Sequence, residues 1–268
     1  MCHSMEQKKW KGLEYCPGAI NIWLLDLSEL SEEKFAAYFS VLPPERRQKI
    51  ERCSVQNKKK QSAGAGILLY ELCQMLQEKY GLSKEEVQIV SLTNGKPVFA
   101  KNTGASFSLS HTDDCVALAF ILPAEPQPEW DYEPENRNHN RTDWNPNQTD
   151  QNVNHIGVDV EQVKACRPAV AKRFFTAEEY DFIQNSPAGE KQDEIFFQIW
   201  TGKEAVIKKS GEGLRLPLNR FSVLKPEKES LQYIPFSRNG IKYAMTVCTD
   251  SVFKEQQPFI SRVDCAIL

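Results

Sequence analysis

The sequence lacks the features that would place it in a membrane or on nucleic acid. No segment approaches the roughly 20 consecutive apolar residues that a membrane-spanning helix needs. The opening stretch MCHSMEQKKWKGLEYC has no apolar run of the kind found in signal peptides. The formal net charge is −3, which does not suit a protein that binds the phosphate backbone of DNA or RNA. We therefore expect a cytoplasmic chain with neither a membrane nor a nucleic-acid partner.

Cysteine and histidine are present, but not in the patterns of a disulfide framework or a zinc site. The eight cysteines are scattered along the chain, and no two form a CxxC pair. In a chain that is neither small nor evidently secreted, this distribution indicates reduced and mostly buried thiols. The four histidines do not have the spacing of zinc ligands either. The sequence thus predicts no structural zinc site.

A polar insert divides the chain into two parts. Residues 123–154 read PAEPQPEWDYEPENRNHNRTDWNPNQTDQNVN and contain almost no aliphatic side chains. Because such a segment buries little apolar surface, we predict a mobile surface loop, with Trp130, Tyr132 and Trp144 as candidate anchors. The predicted domains are an N-terminal half at 1–122 and a C-terminal half at 155–268.

The order of predicted elements is the same in both halves. In the first, hydrophobic periodicity predicts a strand at 19–27, helices at 31–40, 44–52 and 56–80, and strands at 87–92, 106–110 and 115–122. In the second, it predicts a strand at 155–161, helices at 167–172, 176–185 and 190–209, and strands at 219–224, 230–235 and 241–248. The predicted fold class is α+β: a pseudo-dimer of two similar α/β halves, each a small, mainly antiparallel sheet with helices on one face. We expect the active site in the cleft between the halves.

Two carboxylates share one face of the strand that opens the second half. In the segment HIGVDVE at 155–161, aliphatic residues alternate with Gly157, Asp159 and Glu161. On a strand this alternation directs both carboxylates to one side, with about 6–7 Å between their Cα atoms. They can converge on one cation, although a solvent-facing strand edge with two acids is the alternative interpretation.

A third carboxylate lies on the helix predicted at 190–209. Trp200, Glu204 and Lys208 follow each other at intervals of four residues and therefore share one stripe of the helix. The alternative is an ordinary surface pair of Glu and Lys. With the two strand acids, Glu204 completes an oxygen ligand set that suits Mg²⁺.

The N-terminal half offers groups for binding phosphate. Lys96 lies in the turn Gly95-Lys-Pro97, and His111 ends a strand between two hydroxyl residues in FSLSHT. Helical basic residues add positive charge; they are Arg46, Arg47, Lys49, Lys58, Lys59 and Lys60. The alternatives are a structural histidine at the strand end and a solvated face on the helices.

Taken in order, the motifs GKP, SLSHT, GVDVE, FFTAEEY and WTGKEAVIKKSGEGL resemble the 4′-phosphopantetheinyl transferase superfamily. The resemblance is to its larger, two-lobed type, known from the activation of surfactin synthetase. It implies a monomeric enzyme that transfers 4′-phosphopantetheine from coenzyme A to a serine of an apo acyl or peptidyl carrier protein. The implied product besides the holo-carrier protein is 3′,5′-ADP, and the implied cofactor is Mg²⁺, with Mn²⁺ as an alternative.

The resemblance also implies roles for individual residues. The metal ligands would be Asp159, Glu161 and Glu204. Glu204 would in addition take the proton from the carrier serine, and Lys208 would neutralise the leaving phosphate. The implied contacts with coenzyme A are Arg46, Lys49, Gly95, Lys96, Pro97, Ser110, His111, Lys203 and Lys208.

Three departures from the family pattern accompany the resemblance. Gln61 stands where the family often has an arginine, so one phosphate contact is expected to be missing or to be taken over by Lys60. The usual Ser-His-Ser reads Ser-His-Thr, and the insert at 123–154 is longer than the usual link.

Two alternative functions remain open: a scaffold that binds coenzyme A without catalysis, and a diphosphate hydrolase. The motifs do not identify the carrier protein or its pathway.

Overall fold

The described residues form two four-stranded sheets, each with helices packed against it, and two small two-stranded sheets. A computed structural model describes residues 7–92, 95–124, 156–226 and 229–263. The insert predicted at 123–154 therefore lies almost entirely outside the described residues. Within the ranges that are described, no helix combines the length and the apolar character required to cross a bilayer. The six cysteines in these ranges are free thiols, three buried and three half-buried.

The N-terminal half contains three helices and seven strands; β3, β6 and β7 belong to the first four-stranded sheet, while β1 pairs with β2 and β4 with β5. The strands are β1 (Lys8–Trp10), β2 (Leu13–Tyr15), β3 (Ile20–Asp26), β4 (Ile89–Ser91), β5 (Pro97–Phe99), β6 (Ser106–His111) and β7 (Cys115–Ile121). The helices are α1 (Glu32–Val41), α2 (Pro44–Glu51) and α3 (Gln56–Tyr80). Helix α3 packs closely on the sheet at Gly64, where a Cβ atom would lie 2.6 Å from a methyl carbon of Leu27.

The C-terminal half repeats the pattern of one strand, three helices and further strands. Its helices are α4 (Pro168–Phe174), α5 (Ala177–Gln184) and α6 (Glu190–Ser210). Its strands are β8 (Gly157–Gln162), β9 (Glu229–Tyr233), β10 (Phe236–Arg238), β11 (Ile241–Asp250) and β12 (Phe259–Val263). The long strand β11 pairs antiparallel with β8, β9 and β10, so it forms the centre of the second sheet.

The last strand crosses back to the first sheet. In the order β12-β3-β7-β6, β12 pairs in parallel with β3, and Phe259 lies opposite Asn21. The final strand of the segment predicted as the C-terminal half, 155–268, thus completes the sheet of the N-terminal half. Strands β8 to β11 form a sheet of their own, and the bounds of the two halves stay a prediction.

The two sheets share one apolar core and meet along β6 and β8. Ile20 and Ile22 of β3 pack in the same buried cluster as Val158 and Val160 of β8. At the contact between β6 and β8, serine hydroxyls of one strand accept hydrogen bonds from backbone N–H groups of the other. The predicted pseudo-dimer is thus confirmed, and we call the region along this contact, with β6 on one side and β8 and α6 on the other, the cleft.

Helix α6 lies against β8 at very short range. A Cβ atom at Gly157 would overlap the backbone carbonyl oxygen of Ala205. The helix ends at Gly211, which has the left-handed φ of 71° that favours glycine. The absence of a side chain at Gly157 therefore brings the acidic strand and the Glu204 helix together.

Most predicted elements are present, and one predicted strand is wrong. Helix α3 has the predicted bounds of 56–80. The strand predicted at 219–224 is instead a 3₁₀ turn at Leu218–Arg220 followed by irregular backbone. Its backbone groups are satisfied by side chains of α5 and α6, not by a neighbouring strand. Five strands were not predicted: β1, β2, β5, β10 and β12.

Candidate active site

Asp159 lies at the point where β8, β6 and α6 meet. Its side chain is buried, and Oδ1 accepts hydrogen bonds from Ser110 Oγ at 2.8 Å and from Lys208 Nζ at 2.7 Å. The second oxygen, Oδ2, is also buried and has no hydrogen-bond partner among the described residues. A buried carboxylate oxygen without a partner is costly, which indicates that a further positive group belongs beside it.

Glu161 and Glu204 bring two more carboxylates close to Asp159. Both are half-buried. Burial, and then the negative charge of Asp159, raise the pKa of Glu161 to about 7, while Lys208 acts in the opposite direction. Burial and the charge of Asp159 also raise the pKa of Glu204. The charge of Asp159 therefore disfavours the ionised forms of both glutamates, and a cation bound between the acids would favour them.

The donor set fits a hard divalent cation, although the side chains are not gathered around one. Across the described part of the chain, no three Asp, Glu, His or Cys side chains are arranged as a finished metal site. The oxygen of Asp159 without a partner and the raised pKa values of Glu161 and Glu204 nevertheless fit Mg²⁺, which binds carboxylate oxygens. Binding would require both glutamates to converge on Asp159.

Positive groups lie on the other side of this cluster. Lys208 donates to Asp159 and also to Ser110 Oγ at 2.9 Å. Burial of the imidazole and the charges of Lys208 and Lys49 lower the pKa of His111, although the residue keeps exposed surface. Three cationic or imidazole groups therefore face one region at the end of β6, which suits an anionic ligand.

Lys96 reaches from the first half to the end of α6. It lies in the turn between β4 and β5, where Gly95 has a φ of 85° and Pro97 begins β5. Its Nζ donates to the backbone oxygen of Lys209 at 2.8 Å. Burial, and then the charge of Lys209, lower the pKa of Lys96 to about 8. Lys96 thus lies in the cleft, but at the C-terminal end of α6 and not beside Asp159.

Arg46 and Lys49 lie on α2, on the side of the cleft that carries His111. Arg46 is half-buried, and burial lowers its pKa. Lys49 is exposed and acts on His111 through its charge. The expected contact of Arg46 and Lys49 with a phosphate of coenzyme A stays a prediction.

Lys203 does not join the cluster, although it precedes Glu204. Its side chain is 0% exposed and forms an ion pair of 2.7 Å with Glu179. Its Nζ also donates to the backbone oxygens of Leu218 at 2.7 Å and Phe221 at 2.6 Å. With all its donors engaged inside the protein, Lys203 is not placed to contact coenzyme A, and that expectation is not supported.

Gln61 has an internal role as well. Its side-chain amide donates to the backbone oxygen of Thr112 at 3.0 Å, next to His111. Gln61 therefore holds the end of β6 and is not directed at a ligand. Lys60 is half-buried, and the expectation that it replaces a missing phosphate contact stays a prediction.

Two family models match the chain, one in each half. Residues 155–251 match the model described as 4′-phosphopantetheinyl transferase superfamily. Residues 29–122 match the model described as 4′-phosphopantetheinyl transferase, N-terminal. These segments include β8 and α6 on one side of the cleft and α2 and β6 on the other. The chain belongs to the 4′-phosphopantetheinyl transferase superfamily.

Relatives with this family name match a large part of the chain. It is 27% identical over 229 residues to 4′-phosphopantetheinyl transferase Sfp of Bacillus subtilis (strain 168), covering 82% of this chain and 87% of that protein. It is 29% identical over 185 residues to 4′-phosphopantetheinyl transferase psf-1 of Bacillus pumilus, covering 65% and 66%. It is 28% identical over 194 residues to 4′-phosphopantetheinyl transferase ffp of Bacillus subtilis, covering 72% and 71%. These matches place it in the larger type of the superfamily.

The C-terminal half of this superfamily member has a further feature, which the motifs did not predict. A small cavity of about 100 Å³ opens beside Glu161, with Trp200 on its wall and Lys164 and Arg167 at its rim. The signal was present in the sequence, because residues 163–175 contain four basic residues and no acidic one.

Proposed function

We propose that this chain transfers the 4′-phosphopantetheine arm of coenzyme A to a serine of an apo acyl or peptidyl carrier protein. The products are the holo-carrier protein and 3′,5′-ADP. Membership in the superfamily and the shared name of the relatives support this activity. The observation that carries the proposal is the 2.7 Å contact between Lys208 Nζ and Asp159 Oδ1, because it joins the GVDVE and WTGKEAVIKK motifs inside the cleft.

The carboxylates of Asp159, Glu161 and Glu204 would hold Mg²⁺, with Mn²⁺ as an alternative. Bound there, the ion supplies positive charge that offsets the diphosphate of coenzyme A and polarises its phosphorus–oxygen bonds. The buried oxygen of Asp159 that has no partner supports this assignment. So do the raised pKa values of the two glutamates.

Glu204 is the group that takes the proton from the carrier serine, directly or through a water molecule. Burial and the charge of Asp159 raise its pKa, which makes its carboxylate a stronger proton acceptor. In the transfer step, the serine oxygen forms a bond to the phosphorus atom that carries the pantetheine arm. The bond from that phosphorus to the bridging oxygen breaks, and the electron pair leaves with 3′,5′-ADP.

The basic groups of the cleft neutralise the phosphates. Lys208 offsets the charge that develops on the departing 3′,5′-ADP, since it lies beside the acidic cluster. His111 and Lys96 contact phosphates that are charged before the reaction begins, and Arg46 and Lys49 bind the 3′-phosphate. Gly95 and Pro97 shape the turn that presents Lys96.

The carrier is a whole folded protein, and we expect this chain to act on it as a monomer. One chain already supplies candidate site residues from both halves, with His111 on β6 and Glu204 on α6. We propose holo-[acyl-carrier-protein] synthase activity as the specific reaction, alongside the modification of peptidyl carriers. Carrier domains are typically acidic, so with a net charge of −3 on this chain we expect local basic patches to guide docking.

The direct test is to incubate the chain with coenzyme A, Mg²⁺ and either an apo acyl or an apo peptidyl carrier protein. Intact-mass spectrometry is expected to show each carrier heavier by one phosphopantetheine group, with release of 3′,5′-ADP. A carrier whose acceptor serine is replaced by alanine is the matched control and should keep its mass.

Other results would favour the alternative functions. Binding of coenzyme A without modification of either carrier would indicate a scaffold. Cleavage of coenzyme A in the presence of the serine-to-alanine carrier, at the same rate as with the normal carrier, would indicate a hydrolase.

A further inference from the structure

We propose that Ser110 is a positioning residue that fixes Asp159 and Lys208 relative to each other. This inference deepens the proposed function and rests on it. It also reassigns Ser110, which the family resemblance placed among the contacts with coenzyme A. The reassignment comes from the hydrogen bonds of a single buried hydroxyl group.

The hydroxyl of Ser110 has no capacity left for a ligand. The residue is 6% exposed. Its Oγ donates to Asp159 Oδ1 at 2.8 Å and accepts from Lys208 Nζ at 2.9 Å and from the backbone N–H of Val160 at 3.2 Å. A serine hydroxyl has one proton to donate and two lone pairs to accept with. All three are used inside the protein, so a phosphate oxygen has no donor to bind here.

The same bonds determine which oxygen of Asp159 remains available. Ser110 and Lys208 both bind Oδ1, and they lie 2.9 Å from each other, so the three groups form a closed triangle. The bond from Val160 attaches this triangle to β8, the strand that carries Asp159 itself. Because Oδ1 is held on this side, Oδ2 is left buried and without a partner.

The arrangement matches the way in which metal ligands are oriented in proteins. A ligating carboxylate is usually held by a hydrogen bond on the oxygen that does not bind the ion, and loss of that outer partner lowers metal affinity about 10- to 100-fold. Ser110 provides such a bond to Asp159. It also ties Lys208 to the same carboxylate, so it sets the distance between the metal ligand and the cation assigned to the leaving group.

Ser108 provides a matched comparison two residues earlier on the same strand. Its Oγ accepts from the backbone N–H of Val158 at 3.0 Å, in the same way that Ser110 accepts from Val160. Both serines are buried and both join β6 to β8. Of these two serines, Ser110 alone also contacts the side chains of Asp159 and Lys208 within the described part of the chain. Ser108→Ala therefore removes one bond between the sheets without touching the acidic cluster.

The test measures Mn²⁺ binding by calorimetry on the full chain in the presence of coenzyme A. For Ser110→Ala we expect the dissociation constant to rise about 10- to 100-fold. For Ser108→Ala we expect a change of less than about threefold, because no group of the cluster loses a partner. The Mg²⁺ concentration that gives half-maximal transfer should rise in Ser110→Ala only, and raised Mg²⁺ should restore part of the turnover.

Equal metal affinity in the two variants, or no Mn²⁺ binding by the wild-type chain, would overturn the proposal. Should Ser110→Ala fail to fold, Ser110→Cys keeps a side chain of similar shape with a much weaker donor, and it must show the same loss of affinity. In the Asp159→Asn background, Ser110→Ala should cause little further loss, because coupled residues are not additive. If the wild-type chain modifies no carrier, the proposed function fails, while the difference in Mn²⁺ binding still tests Ser110.

Discussion

Lys203 and Glu179 form an ion pair that is completely enclosed by the protein. Nζ of Lys203 lies 2.7 Å from Oε2 of Glu179, and both side chains are 0% exposed. The other oxygen of Glu179 accepts from the backbone N–H of Val223, while Lys203 also donates to the backbone oxygens of Leu218 and Phe221. The pair therefore attaches α6 to α5 and to the irregular segment that precedes β9.

Lys203→Met is expected to destabilise the fold strongly, because it leaves the carboxylate of Glu179 buried without its counter-ion. Removing one partner of a buried pair typically costs about 3–5 kcal/mol. Lys225→Met is the matched control, since Lys225 pairs with the neighbouring Glu178 and the two side chains are 84% and 54% exposed. For that variant we expect a change below about 1 kcal/mol. Urea unfolding measures both, and similar losses would contradict the assigned role of Lys203.

The same pair explains why one strand prediction was wrong. Phe221 and Val223 alternate with polar residues, which is the pattern of a strand. In the structure the carbonyl of Phe221 binds Lys203 and the N–H of Val223 binds Glu179, so side chains replace the partner strand. Glu179 lies far from Lys203 in the sequence, and no local pattern connects them. The family resemblance alone therefore placed Lys203 at coenzyme A, with no sequence signal for its internal partner.

The acidic cluster was predictable because its geometry is local. Alternation on a strand placed Asp159 and Glu161 on one face, and a spacing of four residues placed Glu204 and Lys208 on one stripe of a helix. The contact between Lys208 and Asp159 confirms that the two motifs meet. By contrast, the parallel pairing of β12 with β3 joins residues from opposite ends of the chain. Hydrophobic periodicity within one segment does not indicate which distant strand it pairs with.

Gly157→Ala is expected to weaken the fold because its methyl group would overlap the carbonyl oxygen of Ala205 in α6. Backbone atoms of a helix cannot move aside as a side chain can, so we expect a loss at or beyond the upper end of roughly 1–3 kcal/mol. Gly202→Ala is the control, since its Cβ would meet only the side chain of Val223, at 3.3 Å. We expect that variant to stay within about 1 kcal/mol of wild type, because alanine also favours the helix. Thermal unfolding compares the two, and a neutral Gly157→Ala would argue against the close packing of α6 on β8.

The lowered pKa of Lys96 leads us to expect that the affinity for coenzyme A depends on pH. Burial and the charge of Lys209 lower its pKa to about 8, so the free enzyme loses this positive charge as the pH rises through that value. Affinity for coenzyme A should therefore weaken above about pH 8 if the ammonium contacts a phosphate. In Lys96→Arg the guanidinium stays charged, and the dependence should disappear.

The measurement is the dissociation constant of coenzyme A for wild type and Lys96→Arg at the same series of pH values. Ionisation of coenzyme A itself affects both proteins equally and cancels in the ratio of the two constants. Lys96→Ala should weaken binding at pH 7 more than it slows the bound reaction, as should His111→Ala, because the proposed function assigns both groups to phosphates that are already charged in the ground state. A lowered kcat with an unchanged KM for coenzyme A would contradict these assignments.

Glu204→Gln and Asp159→Asn are both expected to lower turnover, but for different reasons. Glu204→Gln keeps the shape of the side chain but removes both the metal-binding charge and the proton acceptor. We expect kcat to fall by roughly 10²- to 10⁴-fold, the range typical of losing a general base, with no full recovery at high Mg²⁺.

In Asp159→Asn the side-chain oxygen can still accept hydrogen bonds from Ser110 and Lys208. Asp159 is not the residue that we assign to proton removal. Its defect should therefore lie mainly in metal affinity, and raised Mg²⁺ should restore part of the turnover. Turnover of both variants across a Mg²⁺ titration separates the two roles. Full recovery of Glu204→Gln at high Mg²⁺ would show that Glu204 acts only as a ligand and that another group takes the proton.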